Sequence, residues 1–266
     1  MRNIFFNKEN IQLDEGVLFG RGVFETILVK EGPILFSEHI KRLNNAIEVL
    51  KLGEKIEEKE LLDEIEKYEI KNKALKILVT PKNIIFIERD IKYKDEDYEK
   101  GFKLKLSKVI RNSTSLLTYV KSINYVENLI ENQNAKEEGF NEVIFLNEKG
   151  FVTECSTANI FIVKSGLVYT PKLECGLLNG ILREFVINNF SVIEKEITLR
   201  DLFESDEVFI TNSLIGIMKV TSIYDNSYNN RGYEEKGSYN NYKITNEIIS
   251  KYKEYLEKSG GKKHDG

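Results

Sequence analysis

Apolar positions change their spacing several times along this chain, and each change predicts an element. Val23 to Val29 is rich in β-branched and aromatic residues, and the turn Lys30-Glu31-Gly32-Pro33 leads into Ile34-Leu35-Phe36, which predicts a hairpin. Ser37 is then placed to cap a helix in which Ile40, Leu43, Ile47 and Leu50 recur at helical spacing, ending before Gly53. A second helix is expected over 57–69, and strands over 74–80, 83–89 and 102–109. Arg111 to Thr118, rich in Ser and Thr at its start, reads as a linker. These signals divide the chain into a smaller N-terminal α/β domain of mostly antiparallel pairing over 1–112, a linker at 113–120 and a larger, β-rich α/β domain over 121–266. In the second domain a helix runs to Glu138, and strands are expected over 142–147, 151–154, 159–163, 167–170 and 207–211. A helix starts at Gly180 within 177–190, the stretch 225–240 reads as a loop, a last helix covers 244–258, and 259–266 is a frayed tail.

The composition narrows the function classes. With 266 residues, 41% hydrophobic and 31% charged, the chain can bury a sizeable core, and no apolar run is long enough to span a bilayer. Residues 1–8 lack the apolar stretch and small-residue cleavage site of a signal peptide, so the cytosol is the expected address. A formal charge of −4, with basic residues interleaved among acids, gives no general attraction to nucleic acid. Cys155 and Cys175 lie outside any Cys-x-x-Cys spacing and form no metal set with His39 and His264; they are expected to be reduced structural thiols. Gly20-Arg21-Gly22 lacks the third spaced glycine and following helix of a nucleotide fingerprint and reads as a tight turn before a strand.

Lys121, in Lys-Ser-Ile-Asn-Tyr125, falls just past the expected domain junction. Taken singly it is a solvated lysine at a helix start. Its company suggests more, because Glu154 and a Gly180-Ile181-Leu182-Arg183 turn follow at spacings suited to a pyridoxal-phosphate pocket, which makes Lys121 a candidate Schiff-base lysine. Glu154 lies between two apolar strands, where an acid is costly unless paired, and a protonated pyridine nitrogen is a suitable partner; its plainer reading is an edge-strand acid facing water. Ile181 and Leu182, opening a helix, can offer backbone amides to a phosphate, Ser213 a hydroxyl, and Arg42 a cation, although Arg42 also fits an exposed helix face.

Together, Phe19-Gly-Arg-Gly-Val-Phe-Glu-Thr26, His39-x-x-Arg42-Leu43, Lys121 to Tyr125, Glu154 with Asn159-Ile-Phe, and Thr170 to Arg183 resemble the class IV pyridoxal-phosphate enzymes from about residue 3 to 224. That family contains branched-chain aminotransferases, D-amino acid aminotransferases and 4-amino-4-deoxychorismate lyases. The resemblance implies fold type IV, a homodimer with active sites between the domains near the subunit interface, a carboxylate-bearing amine as substrate, Lys121 as the Schiff-base lysine, Glu154 at the pyridine nitrogen, Arg42, Ile181, Leu182 and Ser213 around the phosphate, and Tyr125 near the cofactor. Phe24-Glu25-Thr26, Thr170 to Gly180 and Thr211-Asn-Ser-Leu214 look most like the lyases, which make 4-aminobenzoate and pyruvate on the way to folate; the branched-chain or D-amino acid aminotransferases are the alternative. Arg21 stands where the family usually has an acid, Leu182 where it has a threonine, and Thr80-Pro81-Lys82 lacks an arginine often found there.

Overall fold

A computed structural model describes residues 2–7, 11–225 and 232–260. His264 and parts of the expected 225–240 loop and 259–266 tail lie outside them. The chain forms two compact units: Met1–Lys92 with Val120–Tyr125 and Glu254–Gly266, and Tyr93–Tyr119 with Val126–Lys253. The sequence reading put the division at 113–120 and Lys121 in the second domain. In the structure the first unit ends earlier, and the short segment carrying Lys121 belongs to it.

The first unit holds strands β1 (Asn3–Phe6), β2 (Val23–Val29), β3 (Lys73–Val79) and β4 (Asn83–Arg89), in the order β1-β4-β3-β2, with helices α1 (Glu15–Phe19), α2 (Phe36–Val49) and α3 (Glu58–Lys67). Only the β1–β4 pair is parallel. Side chains alternate across a strand, so Val23, Ile27, Val29, Leu75, Ile77 and Val79 share one face and form a core with Ile40, Leu43 and Ile47 of α2. Phe24, Thr26, Lys76 and Leu78 lie on the other face. The hairpin expected at 23–36 is absent: β2 pairs with β3 throughout, and Val29 makes only an isolated bridge to Pro33. Ile34 and Leu35 are buried, and Leu35, at φ 52, turns the chain straight into α2. Ser37 is therefore inside the helix and caps nothing; its hydroxyl donates to Glu58 Oε1 at 2.7 Å.

The second unit contains α4 (Asp95–Lys100), β5 (Phe102–Arg111), α5 (Val126–Glu137), β6 (Glu142–Asn147), β7 (Val152–Cys155), β8 (Asn159–Lys164), β9 (Leu167–Pro171), α6 (Ile181–Asn189), β10 (Val192–Lys195), α7 (Leu199–Phe203), β11 (Glu207–Asn212), β12 (Gly216–Asp225), β13 (Glu234–Ser238) and most of α8 (Lys243–Gly260). One nine-stranded sheet runs β10-β9-β8-β11-β12-β5-β6-β7, with β13 added to β12. Four strands had no counterpart in the sequence reading: β1, β10, β12 and β13. β12 turns back on β11 at once, with Asn212 paired to Gly216, and Asn212 Oδ1 accepts from the Leu214 and Ile215 amides at 2.9 Å, which fixes that turn. β13 falls in the stretch read as a loop, its Asn- and Gly-rich surroundings hiding a pairing that β12 imposes.

Candidate active site

Lys121 is held by backbone. Phe24 N donates to Lys121 O at 2.9 Å and Ile123 N to Gly22 O at 3.0 Å, so residues 121–123 lie antiparallel beside the start of β2. The Gly20-Arg21-Gly22 turn lets them approach: Gly20 has φ +69, its carbonyl accepts from Asn124 Nδ2 at 2.7 Å, and a side chain on it would run into the Asn124 amide. Lys121 Nζ lies 4.6 Å from the Phe24 ring centroid and 5.4 Å from that of Tyr125, and the two rings meet edge-on at 5.3 Å. An ammonium against two aromatic faces is a half-buried group, unlike a solvated helix-start lysine, and α5 begins only at Val126.

On the core face of β2, Glu25 is fully buried. It accepts from Arg42 Nε at 2.7 Å and Nη2 at 2.6 Å, and lies 2.6 Å from His39 Nδ1. Burial alone would push this carboxyl up, but the Arg42 fork and His39 overcome it and hold Glu25 at about 2. His39 is pushed down, first by burial, with the charges of Arg42 and Lys121 adding to it against the pull of Glu25. The cation expected for a phosphate is thus tethered by a buried acid that sequence reasoning left without a role. Its signal was available: one carboxylate among the six other residues of Val-Phe-Glu-Thr-Ile-Leu-Val must find a partner on whichever face it enters.

In the second unit, Glu154 points to the opposite face of β7 from buried Thr153 and Cys155 and is itself half-buried. Its Oε2 accepts from Leu178 N at 3.2 Å and Asn159 Nδ2 at 3.4 Å, while Asn159 Nδ2 also donates to Leu178 O at 2.8 Å. Asn159 pairs across the sheet with Thr211, and its amide occupies the space that a side chain on Gly180 would need. Asn159 therefore gathers the carboxylate, the 177–180 turn, the start of α6 and the end of β11. α6 opens at Ile181 from Gly180 with no side-chain cap, and Ile181 and Leu182 are buried, so any contact they make to an anion runs through backbone N–H groups. Arg183, also fully buried, ties α6 down by donating to Asn179 Oδ1 and Pro171 O at 3.0 Å each and by pairing with Glu194. Sequence reasoning gave Arg183 no role beyond closing a motif. Ser213 follows β11, and two residues earlier the buried Thr211 hydroxyl has no hydrogen-bond partner among the described residues. Helix-start amides, two hydroxyls and a half-buried carboxylate of the second unit suit a phosphate and a protonated ring nitrogen.

Among the described residues no group of His, Cys, Asp and Glu could hold a metal, and no helix is long and apolar enough to cross a membrane. Both cysteines are buried and unbridged, and burial pushes both thiols up.

Residues 22–223 match the sequence profile of the amino-transferase class IV family. A provisionally assigned branched-chain-amino-acid aminotransferase of Methanocaldococcus jannaschii is 30% identical over 95% of this chain and 93% of its own. The aminodeoxychorismate lyase of Bacillus subtilis is 29% identical over 83% of this chain and 84% of its own. Among solved structures, a provisionally assigned 4-amino-4-deoxychorismate lyase from Legionella pneumophila superposes with a TM-score of 0.80 at 25% identity, covering 94% of this chain and 98% of that one.

Proposed function

The chain belongs to the class IV aminotransferase family, whose members share fold type IV and depend on pyridoxal phosphate, and from that premise we propose that it is an aminodeoxychorismate lyase, splitting 4-amino-4-deoxychorismate into 4-aminobenzoate and pyruvate in folate synthesis in the cytosol. The observation that carries this reading is the segment Thr170 to Gly180, whose lyase-like residues supply the Leu178 amide that holds Glu154 and the turn that opens α6. In this reading Lys121 would hold the cofactor, and its freed Nζ would take the proton from the carbon beside the substrate nitrogen. Glu154 partners the cofactor ring nitrogen; the α6 amides at Ile181 and Leu182, with Ser213 and Arg42, hold its phosphate, and Tyr125 lines the ring side by its contact with Lys121. When bound, the cofactor supplies an electron sink for the charge left by that proton. Glu154 would keep that sink effective; the ether C–O bond to the enolpyruvyl group then breaks, the departing enolpyruvate takes a proton from Lys121 Nζ or water to become pyruvate, and the ring that remains is aromatic.

A transaminase acting on branched-chain amino acids is the second reading, supported by the Methanocaldococcus relative. The two differ in their need for a keto acid. Purified protein given aminodeoxychorismate should release equal amounts of pyruvate and 4-aminobenzoate with no keto-acid co-substrate. No 4-aminobenzoate, together with conversion of the cofactor to its amine form by a branched-chain amino acid, would replace the lyase reading with the transaminase one.

We further propose a homodimer. Val126, Leu129 and Ile130 occupy one exposed side of α5 at i, i+3, i+4 spacing, an apolar strip that a second copy would cover. Sedimentation as a monomer at micromolar concentration would refute it.

A further inference from the structure

The large sheet of the second unit has a seam between β7 and β8. Residues 156–158 alone join these strands in sequence, yet in sheet order β11, β12, β5 and β6 lie between them, so the sheet curls until its β7 edge meets β8. Among the described residues no strand pairing closes this seam, and Cys155 N crosses it by donating to Ala158 O at 2.8 Å. The seam also divides the residues assigned to the cofactor. Glu154 stands on β7, whereas Ser213 follows β11, the neighbour of β8. Pyridoxal phosphate carries its ring nitrogen and its phosphate on one small frame, so an acid and a hydroxyl that serve both must be held at one spacing.

Glu142, at the start of β6 and 2% exposed, ties the seam together. Its Oε1 accepts from Thr157 N at 2.9 Å and Thr157 Oγ1 at 2.7 Å, and its Oε2 from Ser156 Oγ at 2.5 Å, Val143 N at 2.8 Å and Asn132 Nδ2 at 3.2 Å. On its other side, Thr157 O accepts from Asn212 Nδ2 at 3.0 Å, and Asn212 Oδ1 holds the turn that carries Ser213. One buried carboxylate is thus joined through a single residue to that turn. Burying a carboxylate among neutral donors is costly if closing a loop is its whole purpose. Glutamine cannot replace it, since every partner donates and the amide NH2 would face a second donor.

We propose that Glu142 is a positioning residue for the cofactor: by holding Thr157 it sets the Asn212–Ser213 turn at the spacing from Glu154 that ring nitrogen and phosphate together require. The assignment rests on the reading of Glu154 and Ser213 as cofactor ligands, and it holds for a lyase or a transaminase alike.

A double-mutant cycle on pyridoxal phosphate binding tests it, by equilibrium titration of the full chain freed of cofactor, below the melting temperature of every variant. Ser213→Ala alone should weaken binding by about tenfold, the loss of a hydrogen bond to a charged group, and Glu142→Gln by at least about tenfold. In the Glu142→Gln background, Ser213→Ala should cost less than about threefold, because the hydroxyl is already out of place. A purely structural role for Glu142 lowers the melting temperature but lets the two losses multiply. If Glu142→Gln does not fold, Thr157→Val takes its place: it keeps the backbone bonds, removes the hydroxyl that donates to Glu142, and should show the same coupling to Ser213. Unaltered binding by Ser213→Ala refutes the phosphate reading and this proposal with it. A normal loss for Ser213→Ala that multiplies with that of Glu142→Gln, or wild-type affinity in Glu142→Gln, overturns the role of Glu142 alone.

Discussion

Glu25→Gln removes the charge at the centre of the buried cluster with Arg42 and His39. A carboxyl held at about 2 against an ordinary 4.5 is stabilised in its charged form by about 3 kcal/mol, since each tenfold in proton affinity is worth about 1.4 kcal/mol. A second route gives a similar figure. The substitution leaves Arg42, whose side chain is only 16% exposed, without its counter-ion, and breaking one side of a buried pair costs about 3–5 kcal/mol. The variant should therefore lose about 3 kcal/mol near pH 7. Because the folded carboxyl is depressed, the contribution of Glu25 is complete above 4.5, its ordinary value, and is lost as pH falls from there to about 2. Urea unfolding of wild type and variant between pH 7 and pH 3, followed by a first-unit signal such as Tyr68 or Tyr125 fluorescence, reads this directly. The gap between the two proteins should be widest at neutral pH and narrow below pH 4.5. A gap under about 1 kcal/mol at pH 7, or one that stays constant down to pH 3, would refute the electrostatic account.

Lys121→Ala should abolish covalent attachment of pyridoxal phosphate and lower turnover by several orders of magnitude; borohydride trapping of the cofactor on a different lysine would contradict it. Glu154→Gln should keep the cofactor bound yet slow the proton-removal step, seen as a fall in kcat and in the solvent-proton exchange rate of an amino acid, so unchanged turnover at saturating cofactor would exclude the role. Arg42→Ala should weaken pyridoxal phosphate binding and also destabilise the fold, because it strands Glu25; an unchanged cofactor dissociation constant would leave Arg42 as a structural partner of Glu25 alone. Gly20→Ala should cost about 1–2 kcal/mol from its positive φ and the Asn124 amide, and Asn124→Ala should relieve part of that cost, whereas strict additivity in the double variant would mean that the two do not meet.

Local spacing in the sequence was enough to set α2, α3, β3, β4, β6 and β8, because each is specified by apolar residues recurring at the period of its own element. The candidate site residues were singled out for a related reason: Lys121, Glu154, the start of α6 and Ser213 are each marked by short strings that fix residue type in a local turn or strand end. Partnership was not legible, since it depends on contacts far apart in the chain. Nothing between Val23 and Phe36 reveals that β2 pairs with residues 73–79; that pairing follows from burying one face of the sheet against α2, which the local hairpin could not do. Lys121 lies after β5 in sequence, yet backbone bonds to Gly22 and Phe24 make it part of the first unit, and these bonds need two glycines to let the strands approach. β13 exists only because β12 offers it an edge. The pairing of Glu25 with Arg42 and His39 likewise belongs to the tertiary structure: a buried carboxylate demands a counter-charge, but only the packing of α2 on β2 decides which residue answers it.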